Sequence, residues 1–512
     1  MTDWTAGYVA DIAYTYGYYT ELNPGRIKLA LLNQGLVFPE VSTACELGFG
    51  QGLSTNLHAA ASTTRWYGTD FNPSQAGFAQ QLSAVSGAGA ELHDAAFVDF
   101  AQRSDLPDFD FIGVHGIWSW ISDENRAVIV DFVRRKLKVG GILYISYNTL
   151  PGWAAFAPMR HLMTEHAEVL GAEGRGIVSR IDGAIEFAEN LLATNPLFAR
   201  ANPLVGERLQ QLKGHNRHYL AHEYFNRDWH PMHFATMAAC LDEAKVQYAC
   251  SAHYLDHIDA LSLTSEQQVF LADVPDPMFR ETVRDFMVNQ QFRRDYWVKG
   301  ARKLSTLEQV ETLRAQRLVL KAHRADVSLK VSGALGEADM SENIYAPILD
   351  LLADHKPRTL GQVEAALSER GIGFQQILQA AILLTGTGHL APVQTEQVVN
   401  KAKKQTERIN TYLCHKARGS NDIGYLASPV TGGGIGVNRF QQLFLLALAE
   451  GRKQPVDWAA FVWQILAAQG QKLIKDGKML EATDENIAEL TRQAQEFADK
   501  SLPILKALQI LS

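Results

Sequence analysis

The sequence predicts an α/β fold: a doubly wound, mostly parallel sheet with a helical insertion, followed by a mainly α-helical C-terminal region that includes a winged-helix-like domain. Three observations predict it. Short apolar strand-like runs alternate with helical segments through residue 153, and that alternation marks a parallel sheet covered on both faces. The first of these runs ends in a glycine-rich turn. The alternation then gives way to a helical stretch from residue 154 to about 216, and strand-like segments return near residues 246–254 and 292–299.

Taken in order, residues 43–47 form a strand that enters the G-x-G-x-G turn of Gly48, Gly50 and Gly52, with Glu46 two residues before the first glycine. A glycine permits positive φ and lets the backbone approach a ligand closely. Residues 53–61 supply the helix whose N-terminus faces that ligand. Residues 65–70 read as a second strand closed by Asp70, and Asn72-Pro73 gives the next helix a cap and a first-turn proline. Residues 90–94 read as a third strand ending at Asp94. The fourth, residues 109–115, runs into Gly116-Ile117-Trp118-Ser119-Trp120. A helix over 123–138 follows, and Val139-Gly140-Gly141 turns the chain into residues 142–148, a continuous apolar run expected of a buried parallel strand. The last two strands complete the sheet near 246–254 and 292–299, the final one antiparallel at or near the edge.

Ligands on such sheets bind outside the carboxyl ends of the strands, which collects Glu46, Gly48, Gly50, Asp70, Asp94, His115, Trp118, Tyr147 and Asn148 at one edge. The glycine spacing departs from the dinucleotide fingerprint G-x-G-x-x-G, so it favours S-adenosylmethionine over NAD. A carboxylate such as Asp70 at the tip of the second strand can accept two hydroxyl hydrogen bonds from a ribose. Asp94 suits the adenine amino group, or simply caps its own loop.

These segments resemble the class I S-adenosylmethionine-dependent methyltransferases, and more narrowly the bacterial ones that carry a methyltransferase regulatory domain. The narrower resemblance rests on YTELNP at Tyr19 to Pro24, the glycine loop from Glu46 to Gly52, HGIWSW from His115, YNTLPGW from Tyr147, and, further on, His222-Glu223-Tyr224 and Gln291-Phe292-Arg293-Arg294. It spans residues 1 to about 305. The best characterised relatives are rickettsial-type protein lysine methyltransferases acting on outer-membrane proteins. The resemblance implies a cofactor site of Tyr19, Pro24, Glu46, Gly48, Gly50, Gly52, Asp70, Asp94 and His115, with Tyr18, Tyr19 and Pro24 in a lid. It also implies that the segment from His222 lines the substrate channel, where His222 or Tyr224 touches substrate.

Methyl transfer to a lysine requires an unprotonated amine, and neutralising an amine of pKa near 10.4 at pH 7.4 costs about 4 kcal/mol. Burial among aromatic rings and a neighbouring sulfonium both disfavour the ammonium. Trp118, Trp120, Tyr147 and Trp153 are the expected walls, and Tyr147, Asn148 or His115 the groups that orient the amine. The acceptor is then a protein lysine, with an outer-membrane or surface protein as the partner that the resemblance suggests. A small-molecule N- or O-methyltransferase, or a cofactor-binding regulator without turnover, are the alternatives.

Composition bounds these readings. At 512 residues and 46% hydrophobic content the chain can bury several cores. Five parts are expected: a cofactor-binding core over 1–153, a helical insertion over 154–221 that serves as dimer contact or substrate cap, a regulatory segment over 222–305 completing the sheet, a winged-helix-like domain over 306–398, and a mainly helical end over 399–512. The winged-helix outline comes from residues 344–355, 359–370, 374–386 and 390–392. Its third helix carries no Lys or Arg, which with a net charge of −8 argues against nucleic-acid binding. The four cysteines, Cys45, Cys240, Cys250 and Cys414, are scattered without a CxxC, so neither a disulfide framework nor a zinc ribbon is indicated. No leader and no membrane span is read, and a cytoplasmic location is expected. The histidine-rich stretch from His215 to His233 imitates a metal motif, but Asn226 stands where HExxH needs its second histidine, and no metal is expected. Lys401 to Lys404 reads as a solvated helix face, and the glycine-rich residues 429–436 as a turn between strands or a loop.

Overall fold

The computed structural model describes residues 15–171 and 176–510. The stretch read for a leader therefore lies largely outside the described residues.

A seven-stranded sheet organises the molecule, in the order β3-β2-β1-β4-β5-β7-β6. Its strands are β1 (Thr43–Leu47), β2 (Arg65–Asp70), β3 (Glu91–Asp94), β4 (Phe109–Val114), β5 (Leu137–Asn148), β6 (Val246–Ser251) and β7 (Phe292–Lys299). The first five run parallel. β7 inserts antiparallel between β5 and β6, so the final strand is one place in from the edge. Every residue of β1 and of β4 is buried, as expected for strands covered on both faces.

The connecting helices start and stop where local chemistry directs. Helix α1 (Pro24–Asn33) precedes the sheet, and the Asn23 side chain accepts from the N–H groups of Gly25 and Arg26. After α2 (Leu53–Ala61), α3 (Pro73–Ser86) is capped by Asn72, opens on proline and ends at Gly87 with φ +68°. After the short α4 (Phe97–Ala101), α5 (Asp123–Lys136) has acids in its first turn and Arg134, Arg135 and Lys136 in its last, as the helix dipole favours. The expected turn at 139–141 is absorbed into β5, which begins at Leu137. Gly140, at φ +83°, lets the strand bend there while its pairing with β4 shifts register.

Helices Ala157–Val169, Gly176–Ala193 and Leu204–Lys213 of the insertion pack on Met159, Met163, Ile181, Ile185 and Leu209, a core of their own. Beyond residue 306, strand Arg317–Leu320 pairs antiparallel with Arg358–Thr359 and Leu390–Pro392 beside helices Glu342–Leu351, Leu360–Leu367 and Phe374–Gly386. Helix Phe374–Gly386 shares one apolar core with Leu22, Trp66 and Tyr144 of the sheet layer. In the last part, residues 429–432 turn between strands Tyr425–Ser428 and Gly433–Gly436, and Lys401, Lys403 and Lys404 are exposed along helix Glu396–Lys416. This part covers the outer side of α2 and α3, where Leu53, Leu57, Ala61 and Leu82 meet Ile409 and Leu443. All nine residues of α2 are consequently buried.

On the β7 side the sheet is tied by a buried ionic knot. Arg293 is 5% exposed and donates to Asp285 at 2.6 Å, Asp295 at 2.9 Å, Glu281 at 2.8 Å and the Tyr248 hydroxyl at 3.0 Å. One guanidinium thus compensates three carboxylates out of bulk water. Arg293→Ala leaves them facing one another, and the expected loss is roughly 3–5 kcal/mol, read as a lowered urea midpoint followed by tryptophan fluorescence.

Candidate active site

A cleft opens at the carboxyl ends of β1, β2 and β4, where the strand order reverses. Its floor is the glycine turn. Gly48, Gly50 and Gly52 lie at φ +73°, +57° and +64°. A Cβ on Gly48 would stand 2.5 Å from the Ile117 side chain, and one on Gly52 2.4 Å from Ala79, so the turn is built for a residue without a side chain.

Asp70 closes β2 against that turn. Its Oδ2 accepts from the Gly50 N–H at 2.8 Å and its Oδ1 from the Asn72 N–H at 3.0 Å, which leaves lone pairs on both oxygens facing the cleft. Burial pushes this carboxyl up to about 6, partly offset by those two backbone donors. His115, at the end of β4, stacks on Tyr19 with ring centroids 3.5 Å apart, and its Nδ1 lies 2.8 Å from the Tyr144 hydroxyl. Burial holds the imidazole down to about 4, so it is neutral at pH 7. The Tyr19 N–H donates to Ser54 Oγ at 3.1 Å, which pins the N-terminal segment to α2. Trp120, 6% exposed, stands at the other end of the cleft with Ser122, Asn125 and Asp228.

The structure thus gathers Tyr19, Gly48, Gly50, Gly52, Asp70, His115 and Trp120 along one cleft. The other expected residues lie elsewhere. Glu46 is 1% exposed beneath the turn and accepts from the Thr55 hydroxyl; burial pushes it up to about 8. Pro24 is the first residue of α1 and is not in the cleft wall. Asp94 is exposed beyond the rim, and its neighbours Ala95, Ala96 and Phe97 line the cleft instead.

Trp118 and Tyr147 are corrected from cleft walls to core. Both are 0% exposed: Trp118 Nε1 lies 3.3 Å from Met232 Sδ, and the Tyr147 hydroxyl donates to Asp295 at 2.9 Å. The reason is strand alternation, for Leu143, Ile145 and Tyr147 enter one buried layer and Ile142 and Tyr144 the other. Asn148 sits in the seam between sheet and insertion, where its Oδ1 accepts from Trp153 Nε1 at 3.2 Å and its buried Nδ2 has no partner among the described residues. Trp153 stacks edge-on against Trp229 and lies 3.8 Å beneath the Arg208 guanidinium; Tyr224 packs beside it and His222 is 2% exposed, so none of the three forms the cleft wall.

Phe71, Phe97 and Ile117 also line the cleft within three residues of a strand end that the sequence reveals, and Ser122 lines it as the cap of α5. Asp228 had no such signal, because it arrives from beyond the insertion.

Residues 216–299 match the model of the predicted methyltransferase regulatory domain. Over 512 residues, 99% of each chain, the sequence is 42% identical to an uncharacterised protein of Synechocystis sp.. The chain belongs to the methyltransferases that carry this regulatory domain. A further uncharacterised protein, from Rickettsia prowazekii, is 26% identical to the methyltransferase over 302 residues, 55% of this chain and 51% of that one. The fold is that of PKMT2 from Rickettsia typhi, whose structure in complex with AdoHcy superposes with a TM-score of 0.68 at 17% identity, covering 94% of this chain and 98% of that one.

In the folded methyltransferase Glu46 keeps its proton to about 8, against an ordinary value of 4.5. A raised value contributes stability that is fully present below 4.5 and lost as pH climbs through 8. Glu46→Gln can still accept from Thr55 and has no proton to lose. Relative to the wild type, its melting temperature is expected to rise between about pH 5 and pH 8 in a calorimetric series; parallel curves would show that Glu46 is already ionised.

Proposed function

We propose that this methyltransferase transfers methyl groups from S-adenosylmethionine to lysine side chains of a protein. The observation that carries the reading is the cleft itself: a turn that admits only glycine, joined by a hydrogen bond to a strand-tip carboxylate, at the switch point of a class I sheet. The residues fit the cofactor. Asp70 has acceptor capacity for the ribose hydroxyls, Phe71, Phe97 and Ile117 offer apolar walls for an adenine, and the glycine turn leaves room for the methionine portion. When bound, the cofactor supplies an electrophilic methyl on a sulfonium centre.

The chain's own residues do the rest. Tyr19 on neutral His115 forms a flat wall beside the glycine turn, without a competing positive charge. At the far end Trp120 presents a ring whose face is worth roughly 0.5–2 kcal/mol to a cation, and Asp228 adds a carboxylate. That pair suits the arrival of a lysine ammonium and favours its charged form, and the proton is lost to water as the amine moves past it toward the positive sulfonium, which disfavours the ammonium. His115 does not serve as the base, since its imidazole is held down to about 4. Support for a protein acceptor comes from the whole-length likeness to PKMT2, which extends through the insertion and the C-terminal parts as well as the sheet.

Incubating the enzyme with isotopically labelled S-adenosylmethionine and host-cell lysate, followed by mass spectrometry, is expected to find label on lysine residues of proteins. Label confined to metabolites would overturn the lysine reading. Asp70→Ala is expected to weaken S-adenosylmethionine binding by about tenfold or more in calorimetry, as the loss of charge-assisted bonds to two hydroxyls implies. Unchanged affinity would contradict the cofactor placement.

A further inference from the structure

Behind the N-terminal segment lies a second cavity of about 320 Å³, partly open to solvent, where the sheet, helix Phe374–Gly386 and the hairpin of Tyr425–Ser428 and Gly433–Gly436 meet. Its ionic content does not balance. Among the described residues, Arg26, Arg294 and Lys321 line it against the single carboxylate of Glu21, which is engaged by Arg294 at 2.7 Å. Arg26 is 7% exposed; one nitrogen donates to the Thr385 carbonyl at 3.0 Å and the guanidinium lies 4.1 Å over the Tyr254 ring, while Nε is buried with no partner. Burial and the Arg26 charge hold the Lys321 ammonium down to about 8, and no carboxylate opposes that shift.

Two further residues of the same walls, Thr385 and Thr431, are 1% and 4% exposed, and among the described residues their packed hydroxyls have no partner. A buried donor without an acceptor is costly, and an uncompensated buried cation more so. The ligand that answers two guanidinium groups and an ammonium around one pocket is one that brings several negatively charged oxygens.

We propose that this cavity binds a small anionic ligand through a carboxylate or phosphate group, held by Arg26 and Lys321. The site also adjoins the cleft through one stretch of chain. Gly17 and Tyr19 line the cleft, whereas Tyr18, Thr20 and Glu21 line the second cavity, so an anion that competes with Glu21 for Arg294 acts on the segment that carries the Tyr19 wall. Any change in cofactor affinity on anion binding is matched by an equal change in anion affinity on cofactor binding. This coupling rests on the cofactor reading above; the anion site does not.

The test is isothermal calorimetry on the full-length protein with sodium phosphate and, separately, sodium succinate, each against sodium chloride at matched ionic strength. Saturable binding of one probe is expected, which also tells phosphate from carboxylate. Lys321→Gln, which removes the charge but no side-chain hydrogen bond seen among the described residues, is expected to weaken it at least about tenfold. Absence of binding above the chloride control, or equal binding to Lys321→Gln, would mean that water alone fills the cavity and would overturn the proposal. S-adenosylhomocysteine affinity, measured with and without saturating anion, is expected to shift several-fold in the wild type and not in Lys321→Gln. An unchanged value would remove the coupling but keep the site, and a protein that binds the anion but no S-adenosylhomocysteine at all would fail the cofactor reading instead.

Discussion

Everything at the cleft depends on β1 being clamped between two parallel partners. β2 pairs with it on one side and β4 on the other, and the connections leave in opposite directions from that point. Three strand ends therefore finish at one level without helices across them. The glycine turn after β1, Asp70 at the tip of β2 and His115 after β4 come from positions up to 67 residues apart (115 − 48), and it is this register that makes them neighbours. The Gly50 N–H to Asp70 bond then locks the turn to the adjacent strand tip.

A second consequence concerns α2, the helix whose N-terminus faces the cleft. A helix on a doubly wound sheet would ordinarily show water one face, yet all of α2 is buried because the C-terminal part closes over it. His58 on that helix is 0% exposed, with its ring nitrogens 3.2 Å from the Tyr19 carbonyl and 3.3 Å from the Gly432 carbonyl. Burial holds this imidazole down to about 4, so the contact is made by a neutral ring. Tyr18 packs at a tilt against the same histidine and against Tyr425. The N-terminal segment is thus held between the cofactor-binding sheet and the C-terminal hairpin, so the far end of the chain bears physically on the cleft.

Much of this was legible in the sequence. The strand bounds emerged from apolar runs closed by Gly, Asp or Asn, because a strand buried on both faces tolerates few polar residues. Caps such as Asn72 with Pro73 are local chemistry and are readable locally. The site was less legible. A strand-end aromatic looks the same whether its ring turns toward ligand or core, and Trp118, Tyr147 and Trp153 all turned inward while Trp120 did not. Glu46 lay one layer beneath its expected place for a related reason: the turn that follows it leads the backbone, not the carboxylate, into the cleft.

The sequence by itself determined the class of sheet, the order in which its elements arrive and the glycine turn that admits a ligand, because periodicity, capping and backbone freedom are properties of near neighbours along the chain. Only the tertiary structure decided which side chains face the cleft, the insertion of β7 between β5 and β6, the arrival of Asp228 from beyond the insertion, and the gathering of Arg26, Arg294 and Lys321 around one cavity. These depend on contacts between segments from tens to hundreds of residues apart, whose burial and electrostatics no local pattern encodes.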